Sequence, residues 1–319
     1  MEKKIGLFWL REDFRITKNL GLYEATKNHD EVVVFYLYKK SIFQNQEAQK
    51  WWLSKSLFNF QKKLENFNIK LEIIKTDSFK LFFDKLINKK NFSIYWNKVY
   101  EPDYLNFDEY LSKKLKIKNI PFKIFKGNVL NEIHEVKKSD GTPFKVFTPY
   151  WRSAEKHFIE KIPSKEKKIK KCTKKITYFN NCIESDKILP KNNWFKNFEK
   201  IWFPSETNAL KVLKNFIKNQ ITNYSDGRNF PNQIGTSKLS PYIKFGHLHV
   251  ETIWNECTTA NNKTIGTSKF LTEIGWREFN HTLINFFPHM LKDNYSKKFD
   301  NFPWEKNIKF LSAWKKGLT

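Results

Sequence analysis

The residues best suited to chemistry fall in three short segments, and the one at residues 270–281 joins opposite charges to a tryptophan. If this segment is helical, its apolar face carries Leu271, Gly275, Phe279, Thr282 and Phe286. The opposite face carries Glu273, Trp276, Arg277 and Asn280. An indole, a guanidinium and a carboxylate on one face suit a flat or charged ligand. The alternative is an ordinary amphipathic helix with an ion pair between Glu273 and Arg277.

The second segment, at residues 224–242, is typical of an anion-binding helix start. Ser240 is a suitable N-cap and Pro241 is a suitable first helical residue. Thr236 and Ser237 add hydroxyl groups beside the free N–H groups of this helix end, where the helix dipole favours a phosphate. The alternative is a well-capped helix that binds no ligand.

The third segment, at residues 7–15, places Arg11 and Arg15 on either side of two acidic residues, directly after an apolar run. The chain has only five arginines, although lysine and arginine together number 58. Because the rigid guanidinium fork recognises phosphates and carboxylates in a way that lysine does not, we expect recognition where arginine is retained. The alternative for this segment is a solvated loop with an internal Arg–Asp pair.

The overall composition fits a basic protein of about two domains. The 319 residues carry a formal net charge of +25, and 40% of them are hydrophobic, so the chain can bury a sizeable core. Cationic side chains that neutralise phosphates release counterions, so this charge suits a nucleic-acid partner. The alternative is compositional drift toward Lys and Phe, which would leave a solvated basic surface but would explain the 11 tryptophans less well.

Several enzyme classes lack their signatures in this sequence. It has no GxGxxG, Walker A or GxSxG motif. Cys172, Cys182, Cys257 and the seven histidines show no metal-ligand spacing, so we expect no metal site. Because no signal peptide and no apolar run of about 20 residues is present, we expect a cytoplasmic protein with no membrane partner.

Two patterns predict the elements that must position these segments. Residues 1–130 alternate short apolar runs with longer amphipathic stretches. The runs predict strands at residues 4–10, 31–38, 70–75, 92–96 and 122–125. The stretches predict helices at residues 20–27, 46–67, 79–88 and 104–115.

This alternation indicates an α/β domain with a doubly wound, Rossmann-like parallel sheet, in which ligands lie at the carboxyl ends of the strands. A connector is predicted at residues 131–204, and residues 205–319 show only helical periodicity. The predicted fold class is therefore α/β followed by part of an all-α domain.

In their order along the chain, the three segments resemble the motifs of the photolyase/cryptochrome family. LFWLREDFRITKN at residues 7–19 is similar to the family's opening WFRRDLRLxDN, and KVFTPYW at residues 145–151 to its KVFTPF. GTSKLSPYIKFG at residues 235–246 is similar to GTSxLSPYLxxG, and EIGWREF at residues 273–279 to ELxWREF. NFPWEKN and AWKKGLT, near the end, resemble the family's xxWxxN and AWxxGxTG. The resemblance covers the whole chain and is to bacterial cyclobutane pyrimidine dimer photolyases above all.

The resemblance implies a flavoprotein that repairs pyrimidine dimers in DNA with light. Members have an N-terminal antenna domain and hold FAD in a helical domain, and the excited, reduced flavin donates an electron to a dimer flipped out of the DNA. The positions that match FAD contacts are Tyr224, Thr236, Ser237, Leu239, Ser240, Phe270, Glu273 and Arg277. Phe270 stands where many members have Trp.

Five positions match other family roles. Glu273 also matches a contact to the dimer, Trp276 a residue that packs on it, and Arg228 a DNA-facing arginine. Trp304 matches the outermost tryptophan of the chain that transfers electrons to the flavin. Glu101 resembles a glutamate that binds a folate antenna, so the resemblance implies a folate or deazaflavin antenna chromophore.

The resemblance leaves part of the function open. A cryptochrome would share the fold and the FAD but would signal, and a non-enzymatic remnant would bind DNA through its charge alone. The lesion type, cyclobutane or (6-4), is open as well. Members continue well past the match to residues 313–319, so we expect a chain that is incomplete at its C-terminus and does not hold stoichiometric FAD by itself. We expect a monomer.

Overall fold

The computed structural model describes residues 4–89, 91–160, 167–259 and 264–319. Its N-terminal part contains a sheet of five parallel strands in the order β3-β2-β1-β4-β5. The strands are β1 Ile5–Leu10, β2 Val32–Tyr38, β3 Lys70–Lys75, β4 Phe92–Asn97 and β5 Phe122–Phe125. All five predicted strands are confirmed, and no strand end differs from its prediction by more than one residue.

Helices cover both faces of this sheet, which confirms the doubly wound arrangement. They are α1 Leu20–Asn28, α2 Glu47–Glu65, α3 Phe79–Leu86 and α4 Pro102–Ile117. Successive residues of a strand point to opposite faces, so Phe8 and Leu10 belong to one apolar core while Leu7 and Trp9 belong to the other. The inner strands β1 and β2 are therefore apolar along their whole length, as expected of parallel strands buried on both sides, whereas the edge strands β3 and β5 also carry charged residues.

The rest of the chain is helical, and the described residues after β5 contain no strand. Its helices are α5 Phe147–Glu160, α6 Glu206–Asn219, α7 Tyr224–Gly227, α8 Ser240–Lys244, α9 Val250–Thr259, α10 Ile265–Phe286 and α11 Ile308–Lys315. Short 3-10 helices lie at Lys40–Phe43, Ser185–Ile188, Asn193–Lys196, Phe198–Lys200, Ile221–Asn223, Pro288–Leu291 and Lys297–Phe299. One apolar core runs from the face of the sheet that carries Phe8 to Phe279 of α10, so the two parts share a core.

The segment between α5 and α6 is anchored on the sheet by buried apolar side chains, among them Ile169, Cys172 and Ile188. The backbone N–H of Cys172 donates to the carbonyl of Phe67 at 2.8 Å, at the turn that leads into β3. Residues 161–166 of the predicted connector lie outside the described residues. At Cys172 and Thr173 the connector therefore passes the end of the sheet at which β2 and β3 begin.

The last 32 residues pack differently from the rest. None of residues 288–319 is buried, α11 included. Within the described ranges, no helix is both long and apolar enough to cross a bilayer.

Candidate functional site

Helix α10 carries most of the candidate site. Its start is fixed by Thr264, whose Oγ1 accepts a hydrogen bond from the N–H of Thr267 at 3.1 Å. The predicted apolar face is confirmed, since its first four members are buried and the last is half-buried: Leu271, Gly275, Phe279, Thr282 and Phe286. The predicted polar face is half-buried or exposed: Glu273, Trp276, Arg277 and Asn280.

An open cleft of about 480 Å³ runs along this polar face, and we call it the α10 cleft. It is lined by Glu101, Glu273, Trp276, Arg277, Asn280, His281 and Ile284. Its volume lies within the range of small-molecule sites. Burial lowers the pKa of His281 to about 3, so its ring is neutral at pH 7. The structure thus brings the whole predicted polar face and Glu101 into one cleft.

Glu273 is held by cations from two directions. It forms an ion pair with Arg228, which follows α7, and its carboxylate lies 3.6 Å from the Nζ of Lys269 on its own helix. The hydrogen bond to Glu273 raises the pKa of Arg228. The alternative ion pair between Glu273 and Arg277 is wrong, because both side chains pair with other groups.

Arg277 connects α10 to the loop that follows β5. Its Nη1 donates to the carbonyl of Asn128 at 2.7 Å and to Glu278 at 3.1 Å. Glu278 is buried and also accepts from the backbone N–H of Leu130 at 2.7 Å and of Asn131 at 3.4 Å. Burial raises the pKa of Glu278, while Arg277 and these N–H groups stabilise its charge. The sequence reasoning missed Glu278, although it lies between two residues of the quoted motif.

Trp276 presents its ring to the α10 cleft and is 41% exposed. On one face it is covered by Phe147, the first residue of α5, whose ring stacks on it with centroids 3.8 Å apart and planes 8° apart. The sequence reasoning also missed Phe147 as a site residue, although the motif at residues 145–151 contains it.

Tyr224 and Phe270, two of the predicted FAD contacts, are buried and touch each other. Their ring centroids lie 5.3 Å apart in an edge-on arrangement. Burial raises the pKa of Tyr224, and the guanidinium of Arg228 lies 5.5 Å from the centre of its ring. Arg228 therefore touches both Tyr224 and Glu273, which brings together residues from two of the three segments.

The segment that leads into α8 differs from its prediction by one residue. Leu239 holds the N-cap position and Ser240 is the first helical residue, so the prediction that Ser240 caps the helix is wrong. The Oγ of Ser237 accepts from the N–H of Leu239 at 3.4 Å. Leu239 is buried, Ser237 is half-buried, and Thr236 and Ser240 are exposed, so three hydroxyl groups lie at the surface beside this helix end.

Trp304 lies apart from these residues. It is 72% exposed, belongs to the segment between α10 and α11, and contacts Phe302 with ring centroids 4.7 Å apart. It does not line the α10 cleft.

The two arginines of the first segment are buried, so the alternative of a solvated loop is wrong. Arg11 donates to both carboxylate oxygens of Asp108 on α4, at 2.9 and 3.1 Å, and to the carbonyl of Asn97 at the end of β4. Arg15 donates to the carbonyl of Gly246 at 2.9 Å, in the loop after α8. These guanidinium groups bind carboxylates and carbonyls of the chain itself.

A second cleft, of about 650 Å³, opens at the carboxyl ends of the strands, and we call it the sheet-edge cleft. Glu101 lines both clefts, and Lys244 and Glu12 stand beside it. Lys244 pairs with Glu101 at 2.9 Å and with Glu12 at 2.5 Å. Burial disfavours the charge on Lys244, but the two carboxylates prevail and raise its pKa.

Comparison with known proteins places this geometry in a family. The sequence profile of DNA photolyase matches residues 6–167, and that of the FAD binding domain of DNA photolyase matches residues 270–319. The chain is 31% identical to the deoxyribodipyrimidine photo-lyase of Agrobacterium fabrum over 98% of its length, which corresponds to 66% of that protein. It is 26% identical to cryptochrome-2 of Arabidopsis thaliana over its whole length, which corresponds to 55% of that protein.

The comparison with solved structures points to the same family as the sequence comparison. A bacterial class III photolyase from Agrobacterium tumefaciens superposes with a TM-score of 0.88 at 30% identity, over 99% of this chain and 66% of the other. The chain thus spans about two thirds of the photolyases that it matches. Together with the parallel sheet and the α10 cleft, these matches show that the chain belongs to the photolyase/cryptochrome family.

Proposed function

We propose that this protein acts in light-driven repair of cyclobutane pyrimidine dimers in DNA, by electron transfer from reduced FAD, as a deoxyribodipyrimidine photo-lyase. The observation that carries the proposal is the α10 cleft, which sets the exposed indole of Trp276 beside the carboxylate of Glu273. A flat dimer would stack on the indole and donate hydrogen bonds to the carboxylate. The photolyase relatives support this reading.

The residues present fit a phosphate-bearing cofactor such as FAD. Thr236, Ser237 and Ser240 would hold its phosphates, since their hydroxyl groups lie at or near the surface beside the free N–H groups of α8. Arg277 would face the cofactor from the α10 cleft. When bound, the reduced flavin would supply the electron that splits the dimer.

Further FAD contacts are proposed for residues that this structure buries. Tyr224, Leu239 and Phe270 would form the apolar backing of the cofactor site, and Glu273 would face both cofactor and dimer. Trp304, with its exposed indole, would pass electrons toward the flavin.

The proposed macromolecular partner is DNA that contains pyrimidine dimers. The net charge of +25 would attract the phosphate backbone without regard to sequence. Arg228 would contact a phosphate when the DNA displaces Glu273 from its ion pair, and Trp276 would pack on the flipped-out dimer.

Repair is tested with an oligonucleotide that carries one thymine dimer. The purified chain is supplied with excess FAD, reduced, and exposed to blue light, and the recovery of intact thymines is followed by chromatography. We expect repair that needs light and reduced FAD, and a loss of about tenfold or more in Trp276→Ala. Trp194→Ala, which removes another exposed indole, serves as the control.

Failure to repair the dimer while reduced flavin is demonstrably bound would exclude this function. That outcome would favour a cryptochrome, to which the chain is also related. A parallel reaction on a (6-4) lesion decides which lesion is repaired, and we expect none on that substrate.

We propose that the sheet-edge cleft holds a folate or deazaflavin antenna chromophore. It lies at the carboxyl ends of the strands, where open α/β sheets bind ligands, and Glu101 offers a carboxylate to ring N–H groups. Glu101→Gln is expected to weaken binding of methenyltetrahydrofolate about tenfold, measured by fluorescence titration. The control is Glu65→Gln on α2, and equal affinities of the three proteins would contradict the assignment of Glu101.

We further propose a cytoplasmic monomer with an antenna domain at residues 1–130, a connector at residues 131–204 and a partial helical domain at residues 205–319. The shared apolar core between sheet and helices supports a single folded body within one chain. Light scattering coupled to gel filtration is expected to give the mass of one chain, and twice that mass would contradict the monomer.

A further inference from the structure

Three aromatic rings lie nearly parallel where α5 meets α10. The ring of Phe147 stacks on Trp276 with centroids 3.8 Å apart and planes 8° apart. Trp151, one helical turn further along α5, is parallel to Phe147 within 9° at a centroid distance of 6.4 Å. Phe279 closes the group edge-on, 5.9 Å from Phe147 and 6.0 Å from Trp276.

The lack of a side chain at Gly275 allows α5 to approach α10 closely. A Cβ atom at this position would lie 2.4 Å from the ring of Trp151, well inside any tolerable contact. Trp151 is itself held from another side, because Trp254 of α9 meets it edge-on at 6.0 Å. The position of Trp151 is therefore set by packing on α9 and α10. Because Phe147 lies one turn earlier on the same helix, its position is set as well.

These contacts leave the indole of Trp276 with little freedom, although it is 41% exposed in the α10 cleft. An exposed aromatic side chain normally loses rotamer freedom when a ligand stacks on it, and that loss weakens binding. A ring that is already stacked on one side avoids the loss and keeps its open part available to a flat ligand.

We propose that Phe147, supported by Trp151, is a positioning residue that fixes the plane of the Trp276 indole for stacking on a base or base dimer in the α10 cleft. The identity of the ligand rests on the proposed function. The orientation of the indole does not, so the two are tested separately.

The orientation is tested by near-ultraviolet circular dichroism. The wild-type spectrum minus that of Trp276→Phe gives the signal of this one indole. In a Phe147→Ala background we expect this difference to fall at least about twofold, because an indole that samples several rotamers loses its fixed asymmetric surroundings. Phe147→Tyr is expected to keep the difference, and so is Phe158→Ala, which removes a ring of α5 that packs on Trp254 instead. An unchanged difference in Phe147→Ala overturns the proposal.

The consequence for binding is tested by titrating single-stranded oligonucleotides with and without one thymine dimer. We expect Phe147→Ala to weaken binding of the dimer about fivefold and to leave binding of undamaged DNA within twofold, while Phe147→Tyr restores the preference. If Phe147→Ala prefers dimer-containing DNA over undamaged DNA as strongly as the wild type does, the positioning role is overturned. If the wild-type protein itself shows no preference, the proposed function fails and the spectra alone decide whether Phe147 orients the indole.

Discussion

Among single residues, Gly275 is one whose substitution the packing tolerates poorly. A Cβ added there would lie 2.4, 2.6 and 2.8 Å from three atoms of the Trp151 ring, which is rigid and nearly buried. We expect Gly275→Ala to lower the free energy of unfolding by about 1–3 kcal/mol through overpacking, even though alanine is favoured over glycine in a helix. Urea unfolding measures the change.

Gly227→Ala is the matched control for Gly275→Ala. Gly227 is also helical, but the nearest atom to a Cβ at this position is 3.5 Å away, an ordinary contact. Here we expect a change within about 0.5 kcal/mol. Equal destabilisation by both substitutions would contradict the steric explanation for Gly275.

The sequence allowed the faces of α10 to be predicted, but not the partners of its charged residues. The spacing of apolar residues assigned Glu273 and Arg277 correctly to one side. A local ion pair between them was the natural alternative, yet Glu273 pairs with Arg228 from a distant segment and Arg277 with the carbonyl of Asn128. Such pairings depend on which loops meet in the fold, and helical periodicity carries no information about that.

At the level of elements, Arg11 joins β1, β4 and α4. Its guanidinium is buried and donates to both oxygens of Asp108 and to the carbonyl of Asn97. Burial raises the pKa of Asp108, and the contact with Arg11 opposes that rise. We expect Arg11→Ala to cost about 3–5 kcal/mol, because a buried carboxylate is left without its cation. Urea unfolding and the yield of soluble protein measure the loss.

The exposed Arg152 on α5 provides the comparison for Arg11. Arg152→Ala removes the same charge from the surface and is expected to change stability by less than about 0.5 kcal/mol. If Asp108→Asn in the Arg11→Ala background restores no stability, an unpaired carboxylate is not the cause of the loss. A double-mutant cycle on these two residues supplies that measurement.

The elements themselves were predictable where the sequence pattern was strong. The strands of the sheet are rich in apolar and β-branched or aromatic residues and are bounded by polar turns, so each was placed within one residue. Helix α5 was not predicted, since it begins inside the motif at residues 145–151 and its packing on α10 involves distant residues. Helix α8 is a single short turn with Pro241 as its second residue, and a shift of one position is enough to move Ser240 out of the N-cap.

At the scale of the whole molecule, His247 lies at the contact between the helical part and the sheet part. It lies in the loop after α8 and is buried between elements of both parts. Its Nδ1 lies 3.2 Å from the carbonyl of Phe14, so that nitrogen carries the proton and donates it. Its Nε2 accepts from the indole N–H of Trp52 at 3.3 Å and lies 2.8 Å from the Oγ of Ser56, which donates its proton to the carbonyl of Trp52 at 2.7 Å. A second proton on the ring would occupy Nε2 and break the hydrogen bond from Trp52.

This arrangement makes stability depend on pH in a definite direction. Burial lowers the pKa of His247 to about 3, below the ordinary value of 6.5. As the pH falls through 6.5, the unfolded chain takes up a proton that the folded chain does not, so the contribution of His247 is complete above this pH and is lost below it. Between pH 7.5 and pH 5.5 we expect this one group to lower the free energy of unfolding by about 1.4 kcal/mol.

His247→Gln isolates that contribution, because other buried groups titrate equally in both proteins. Urea unfolding at the two pH values should show a decrease that is about 1.4 kcal/mol smaller in His247→Gln than in the wild type, whatever the variant's stability at pH 7.5. The exposed His134 is the control, and His134→Gln should keep the wild-type difference. If His247→Gln loses as much stability on acidification as the wild type does, the ring takes up its second proton without unfolding the chain. In that case the junction between sheet and helices accommodates the charge.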